Sequence, residues 1–202
     1  MIARMCNHYR NDPAARASLP TWREYIGWDA ADFAQAPTDV WPKRDAWVAR
    51  IADGQRIIDK MVWGVPLTVP GKRPGTTVTK HVTNVRNLTS PFWKSMLATP
   101  AQRCLVPFTA FAEPKIGAGR EEHWFTIPDQ PVAAFAGIWR PSTAGNVFAF
   151  LTCEPNPLVA PLHPKAMPVI LQPDDYDTWL STDLAGASAL AAPFPSQLMR
   201  VA

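Results

Sequence analysis

Apolar residues in this chain fall in short runs broken by turn-forming residues, and most runs follow the two-residue period of strands rather than the 3.6-residue period of helices. Residues 46–52 and 56–63 each read as a strand, and Asp53-Gly54 between them is a hairpin signal. Gly64 and Pro66 end the second strand. Residues 67–80, rich in Pro, Gly, Lys and Thr, read as a long exposed loop, a feature more often functional than idle in a domain of this size. Residues 82–87 are a short extended piece. Ser90 and Pro91 mark the start of a helix to about Leu97, with Ser90 as N-cap. Further strands are predicted over 103–111, 124–127, 132–139, 147–153 and 169–171, with a turn at 128–131 and a loop or short helix over 155–168. A helix with acidic residues in its first turn follows from Pro173. Residues 18–36 place apolar side chains on one helical face, interrupted near Gly27. The pattern is α+β and mostly β.

A length of 202 residues suits one domain with a core large enough to need no staples. The 22 prolines argue against long helices, and the 9 tryptophans supply large stacking surfaces. A net charge of +3 permits nucleic-acid binding without requiring it. No apolar run is long enough to span a membrane, and Met1-Ile2-Ala3-Arg4 lacks the apolar stretch of a signal peptide, which points to a cytoplasmic protein. Cys6, Cys104 and Cys153 are too widely spaced for a metal or disulfide framework. His8, His81, His123 and His163 include no zinc-binding pair, and no phosphate-cradling, dinucleotide or nucleophile-elbow motif occurs. No metal and no cofactor are expected.

Chemistry concentrates in four places. Cys6 directly follows Met5. As a terminal residue it would carry an α-amine beside its thiol, a pair that condenses with an aldehyde to an imine and then a thiazolidine; the α-amine titrates near neutrality, at about 7.7–8.0. Otherwise Cys6 is a small apolar residue near the chain end. Glu113 closes an apolar run, so it is either a desolvated acid–base group with a raised pKa or a strand-end glutamate facing water. His163, fenced by Pro161 and Pro164, is either held for proton transfer or an idle loop histidine. Asn84 and Arg86 would share a strand face suited to phosphate or carbonyl recognition, or a solvated face.

The ordered set Met5-Cys6-Asn7-His8-Tyr9, Trp63-Gly64, Asn84-Val85-Arg86, Phe108 to Glu113, Phe135 to Trp139, and Leu162-His163 to Leu171 resembles the SRAP family, the SOS response-associated peptidases, over nearly the whole chain. The resemblance implies a single domain, 6–202, with a distorted barrel-like antiparallel sheet, a few peripheral helices and a positively charged groove. Residues 1–5 would be a leader that is removed, or Met5 would be the true start, with residues 1–4 ahead of it. It also implies a monomer that detects abasic sites in single-stranded DNA, links to them covalently, and removes the residues ahead of the cysteine by autoproteolysis. Such a protein would be cytoplasmic and nucleoid-associated when engaged. Cys6 would be the nucleophile, Asn84 would orient it, Glu113 would be the acid–base group, and His163 would donate a proton for sugar ring opening. Arg86 would hold a phosphate, with Lys72, Lys80 and Lys94 nearby; Pro42 would stand beside the groove, and the loop at Trp63 near displaced bases.

The chain departs from the family pattern in ways that carry expectations of their own. His8 stands where an arginine would touch DNA, and Arg10 is placed to compensate. The usual histidine loop is longer by one residue, and Lys165 takes the place of its arginine. Two other readings remain. A peptidase acting on other proteins predicts turnover of peptides, and a non-catalytic single-stranded DNA-binding module predicts salt-sensitive binding with no covalent product.

Overall fold

Asp53 and Gly54 have φ values of 51° and 74°, the left-handed pair that closes a two-residue hairpin, and the strands on either side are those the alternation predicts. The computed structural model describes residues 6–12, 37–143 and 145–201; the leader and the helical pattern at 18–36 lie outside them. The first half contains β1 (His8–Arg10), β2 (Asp39–Val40), β3 (Asp45–Ala52), β4 (Gln55–Trp63), β5 (Val65–Pro70), β6 (Thr77–Val82), β7 (Asn84–Val85) and helix α1 (Pro91–Ala98). The second half contains β8 (Arg103–Phe108), β9 (Ala110–Pro114), β10 (Glu122–Thr126), β11 (Ala133–Ser142), β12 (Gly145–Cys153), β13 (Met167–Pro168), β14 (Ile170–Leu171), α2 (Tyr176–Ser181), α3 (Leu184–Ala189) and β15 (Arg200–Val201).

Strands β4, β3, β8, β11 and β12 pair in that order, and β12 returns to β4, closing a barrel. The family resemblance implies an antiparallel sheet. The β4–β12 seam is parallel instead, with Val62 beside Val147 and Trp63 beside Phe148. Topology requires this, because directions that alternate around an odd number of strands cannot close without one parallel pair. A second sheet, in the order β15–β10–β9–β1–β2, lies against the barrel. The run predicted as one strand over 103–111 passes between the two. It breaks at Thr109, whose amide and hydroxyl both donate to the Arg10 carbonyl, at 2.7 and 3.0 Å. Tyr9 of the second sheet is fully buried among Trp63, Phe135 and Phe150 of the barrel, all in edge-to-face contact, so both sheets share one core.

Residues 67–80 are not a loop. They belong to a two-stranded hairpin, β5–β6, with Val65 paired to Val82 and Pro70 to Thr77. Proline is tolerated there because both strands of an isolated ribbon are edges. Helix α1 opens on Pro91 as expected, although Ser90 caps it without a side-chain hydrogen bond. Among the described residues no helix is long and apolar enough to cross a membrane.

Candidate functional site

Strand β1 continues from Asn7 and Cys6, and Cys6 is buried in the molecule. The strand pairs with β9 so that Tyr9 faces Phe111 and His8 faces Ala112, and just ahead of the paired residues Cys6 lies beside Glu113. Cys6 has no exposed surface. The segment is clamped from the other side by the start of β7. Asn84 Nδ2 donates to the Cys6 carbonyl at 3.2 Å and to Thr83 Oγ1 at 2.9 Å, while Thr83 Oγ1 donates to Asn7 Oδ1 at 3.3 Å. The Cys6 thiol is pushed well above its ordinary pKa, by burial first and then by the Glu113 carboxylate.

Glu113 is 1 % exposed, so the apolar run that ends in it does desolvate it. Burial drives its pKa well up; the Cys6 main-chain N–H is the main influence in the other direction, and Glu122 adds to the rise. Neither carboxyl oxygen has a hydrogen-bond partner of good geometry among the described residues. His163 is 4 % exposed. Its Nδ1 lies 2.9 Å from the Ala166 carbonyl, and a carbonyl only accepts, so Nδ1 bears a hydrogen. The same Nδ1 is 3.6 Å from Glu113 Oε2, too long for a hydrogen bond. Nε2 is buried and unpartnered among the described residues. A buried acid, an imidazole with a free ring nitrogen, and the nitrogen and sulfur of one cysteine thus adjoin. Together they can exchange protons at a carbonyl carbon placed beside Cys6.

The remaining predicted residues fare differently. Asn84 and Arg86 do not act side by side. Asn84 turns in to Cys6, whereas Arg86 Nη1 donates to the Cys153 carbonyl at 2.6 Å and Nη2 to Glu154. Arg86 is half-buried there, at the end of β12. Trp63 offers no face to a base. It is fully buried, stacks on Phe150 at 5.1 Å and donates through Nε1 to the Thr83 carbonyl, because β4 turns it into the barrel. Pro42 is half-buried in a turn that docks on Trp63 through Lys43 N to the Trp63 carbonyl, 2.7 Å.

His8 is not placed for a phosphate either. It is 5 % exposed, with Nδ1 2.8 Å from Glu122 and Nε2 2.9 Å from Asp39, and its ring stacks on Trp41 at 3.7 Å. Two carboxylates occupy both of its nitrogens. Arg10 is exposed, donates to Asp39 at 2.8 Å and lies over Trp124. Lys165 is exposed on the loop that carries His163. Clefts of about 550 and 470 Å³ lie near Trp41 and Trp124; neither is lined by Cys6, Glu113 or His163. Among the described residues no group of His, Cys, Asp and Glu is arranged to hold a metal ion.

Two contributors escape a reading of the sequence. Thr83 holds Asn7, and nothing but its place before Asn84 signals that. Asn156 builds the His163 loop: its Oδ1 accepts from the Leu158 and Val159 amides at 3.1 and 3.0 Å, and its Nδ2 donates to the Phe194 carbonyl at 2.7 Å. The Asn156-Pro157 pair, a turn-initiating dipeptide, is the signal that points to it.

A family sequence model, SOS response associated peptidase (SRAP), matches residues 5–202. Three crystal structures share the fold. A protein from Bordetella bronchiseptica is 24 % identical, with TM-score 0.71 and 98 % of each chain covered. A protein from Bacteroides thetaiotaomicron is 20 % identical, with TM-score 0.73, covering 97 % of this chain and 90 % of that one. A phage-related protein from Bordetella bronchiseptica is 18 % identical, with TM-score 0.66, covering 98 % and 93 %. No protein of curated function matches the sequence.

Proposed function

The chain belongs to the SRAP family, and from that premise we propose that it captures abasic sites in single-stranded DNA through Cys6, after removing the residues ahead of that cysteine. The observation that carries this reading is the convergence on Cys6. It is fully buried with its carbonyl held by Asn84 at 3.2 Å, beside Glu113, a buried carboxyl that stands 3.6 Å from His163. The match to the family begins at Met5, one residue before Cys6, which supports Cys6 as the first residue of the active chain.

In the first stage the Met5–Cys6 amide is cut, with Glu113 delivering a proton to the departing nitrogen and water supplying the new carboxyl oxygen. In the second, an abasic sugar in its open form presents an aldehyde. The Cys6 amine adds to the carbonyl carbon, the carbinolamine loses water to an imine, and the thiol adds across the carbon–nitrogen double bond while its proton passes to nitrogen. No electrons are gained or lost overall. Glu113, whose burial favours its protonated form, protonates the departing hydroxyl; His163, with Nδ1 held by the Ala166 carbonyl, first takes up a proton at Nε2 and gives it to the sugar ring oxygen as the ring opens; Asn84 fixes the Cys6 carbonyl so that amine and thiol face one carbon. The protein would work as a monomer, in the cytoplasm and at the nucleoid.

Cys6→Ala and Cys6→Ser separate the two bonds. With abasic single-stranded DNA, wild type is expected to give a heat-stable band on a denaturing gel, and Cys6→Ala none. Both variants keep the amine and lose the thiol, so each should form an imine adduct that survives only after borohydride reduction. A heat-stable adduct with Cys6→Ala would contradict the assignment.

A further inference from the structure

We infer that the β5–β6 hairpin is a docking arm for the phosphate backbone of single-stranded DNA beside the site, an inference that rests on the DNA reading above. Every residue from Lys72 to His81 is exposed, and Lys72, Arg73, Lys80 and His81 carry all its titratable groups. No Asp or Glu occurs in the sequence from Lys60 to Ala112. Lys72, Arg73 and Lys80 make no ion pair among the described residues, whereas Arg10, Arg50, Arg56, Lys60, Arg86 and Lys115 each hold a carboxylate. Lys43, Arg44, Lys94, Arg120 and Lys165 are likewise without an ion pair among the described residues; the arm differs in gathering its exposed cations on one ribbon whose own sequence holds no acidic residue.

The root of the arm is the wall of the Cys6 site. Strand β6 runs on into Thr83 and Asn84, the residues that bond Asn7 and Cys6. The root is braced on its other strand by Arg140, which donates to the Pro66 carbonyl at 2.7 Å. Gly64, at φ 129°, approaches so closely that a Cβ there would sit 3.1 Å from His81 Cβ. From this root, six residues at about 3.3 Å each carry Lys72 and Arg73 roughly 20 Å outward. A nucleic-acid strand running from the site along the arm meets Lys80 first and the Lys72–Arg73 turn last.

The chemistry of the arm fits a nucleic-acid backbone better than a protein. Its cations are interspersed with the hydroxyls of Thr68, Thr77 and Thr79, a set that suits phosphate oxygens. It has no Trp, Tyr or Phe, the residues that anchor protein interfaces and stack on bases, so the arm engages backbone charge and is independent of sequence.

The test uses the full chain and undamaged single-stranded DNA, which offers no aldehyde. Fluorescence anisotropy against salt is compared for wild type, the triple variant Lys72→Gln, Arg73→Gln, Lys80→Gln, and Lys115→Gln as a charge control. The slope of log affinity against log salt should become shallower by about 2 in the triple variant, roughly 0.7 for each phosphate no longer neutralised, and stay unchanged in the control. Equal slopes for wild type and triple variant would overturn the proposal. So would equal competition by polyglutamate of the same charge, which would mark an acidic-protein site. The adduct assay keeps the two claims apart. A slope change without any heat-stable adduct supports the arm and removes the crosslinking; an adduct with equal slopes removes the arm alone.

Discussion

At Glu113 burial acts against the ionised carboxylate, and this sets stability and activity against each other. Its folded pKa lies above the unfolded value, about 4.3 for glutamate, so the folded state holds its proton more tightly. Stability therefore falls as pH rises from the unfolded value to the raised one. Glu113→Gln cannot ionise and loses that slope, so at neutral pH it should melt higher, by about 2–4 °C for each kcal/mol regained. The same variant should crosslink about 10²–10⁴-fold more slowly and lose the alkaline limb of its rate profile, since the required acid is gone. A lower melting temperature with an unchanged rate would place Glu113 outside the chemistry. The burial behind this was legible in the sequence, because a carboxylate ended an apolar run. The burial of His8 and Trp63 was not: the enclosing Glu122, Asp39 and Phe150 arrive from strands far along the chain.

The loop over 155–168 owes its shape to Asn156 as much as to its prolines. Asn156→Ala removes the acceptor for two amides in a buried place, at an expected loss of about 1–3 kcal/mol in denaturant unfolding. Because the His163 amide bonds the Val159 carbonyl in the same turn, hydrogen exchange at Val159 and His163 should accelerate and crosslinking should slow. Unaltered exchange at both amides would show that the prolines alone hold the loop. Elements in this chain were readable where the turn chemistry was local, as at Asp53-Gly54 and Ser90-Pro91. The β5–β6 hairpin was hidden by composition, since Pro66, Pro70, Gly71 and Gly75 read as loop; only the isolation of the ribbon makes its prolines acceptable in strands. The break at Thr109 was hidden for another reason. An unbroken apolar run does not reveal that it serves two sheets, and the bond that splits it goes to Arg10.

For the whole molecule, the mostly β architecture follows from the alternation, but barrel closure does not, because a parallel seam between β4 and β12 joins residues far apart in sequence. Closure has a functional consequence. It fixes β7 against β12 and, through Asn84 and Thr83, fixes the Cys6–Asn7 segment against β9, so a nitrogen near one end of the chain meets a carboxyl from its middle and an imidazole from its last third. All of this serves the function only if that nitrogen is a free amine. The direct test is peptide mass spectrometry of the adduct formed with abasic single-stranded DNA. A peptide that begins at Cys6 and carries the sugar remnant on that residue is the predicted result. A remnant on a lysine, or on a peptide that still includes Met5, would contradict it.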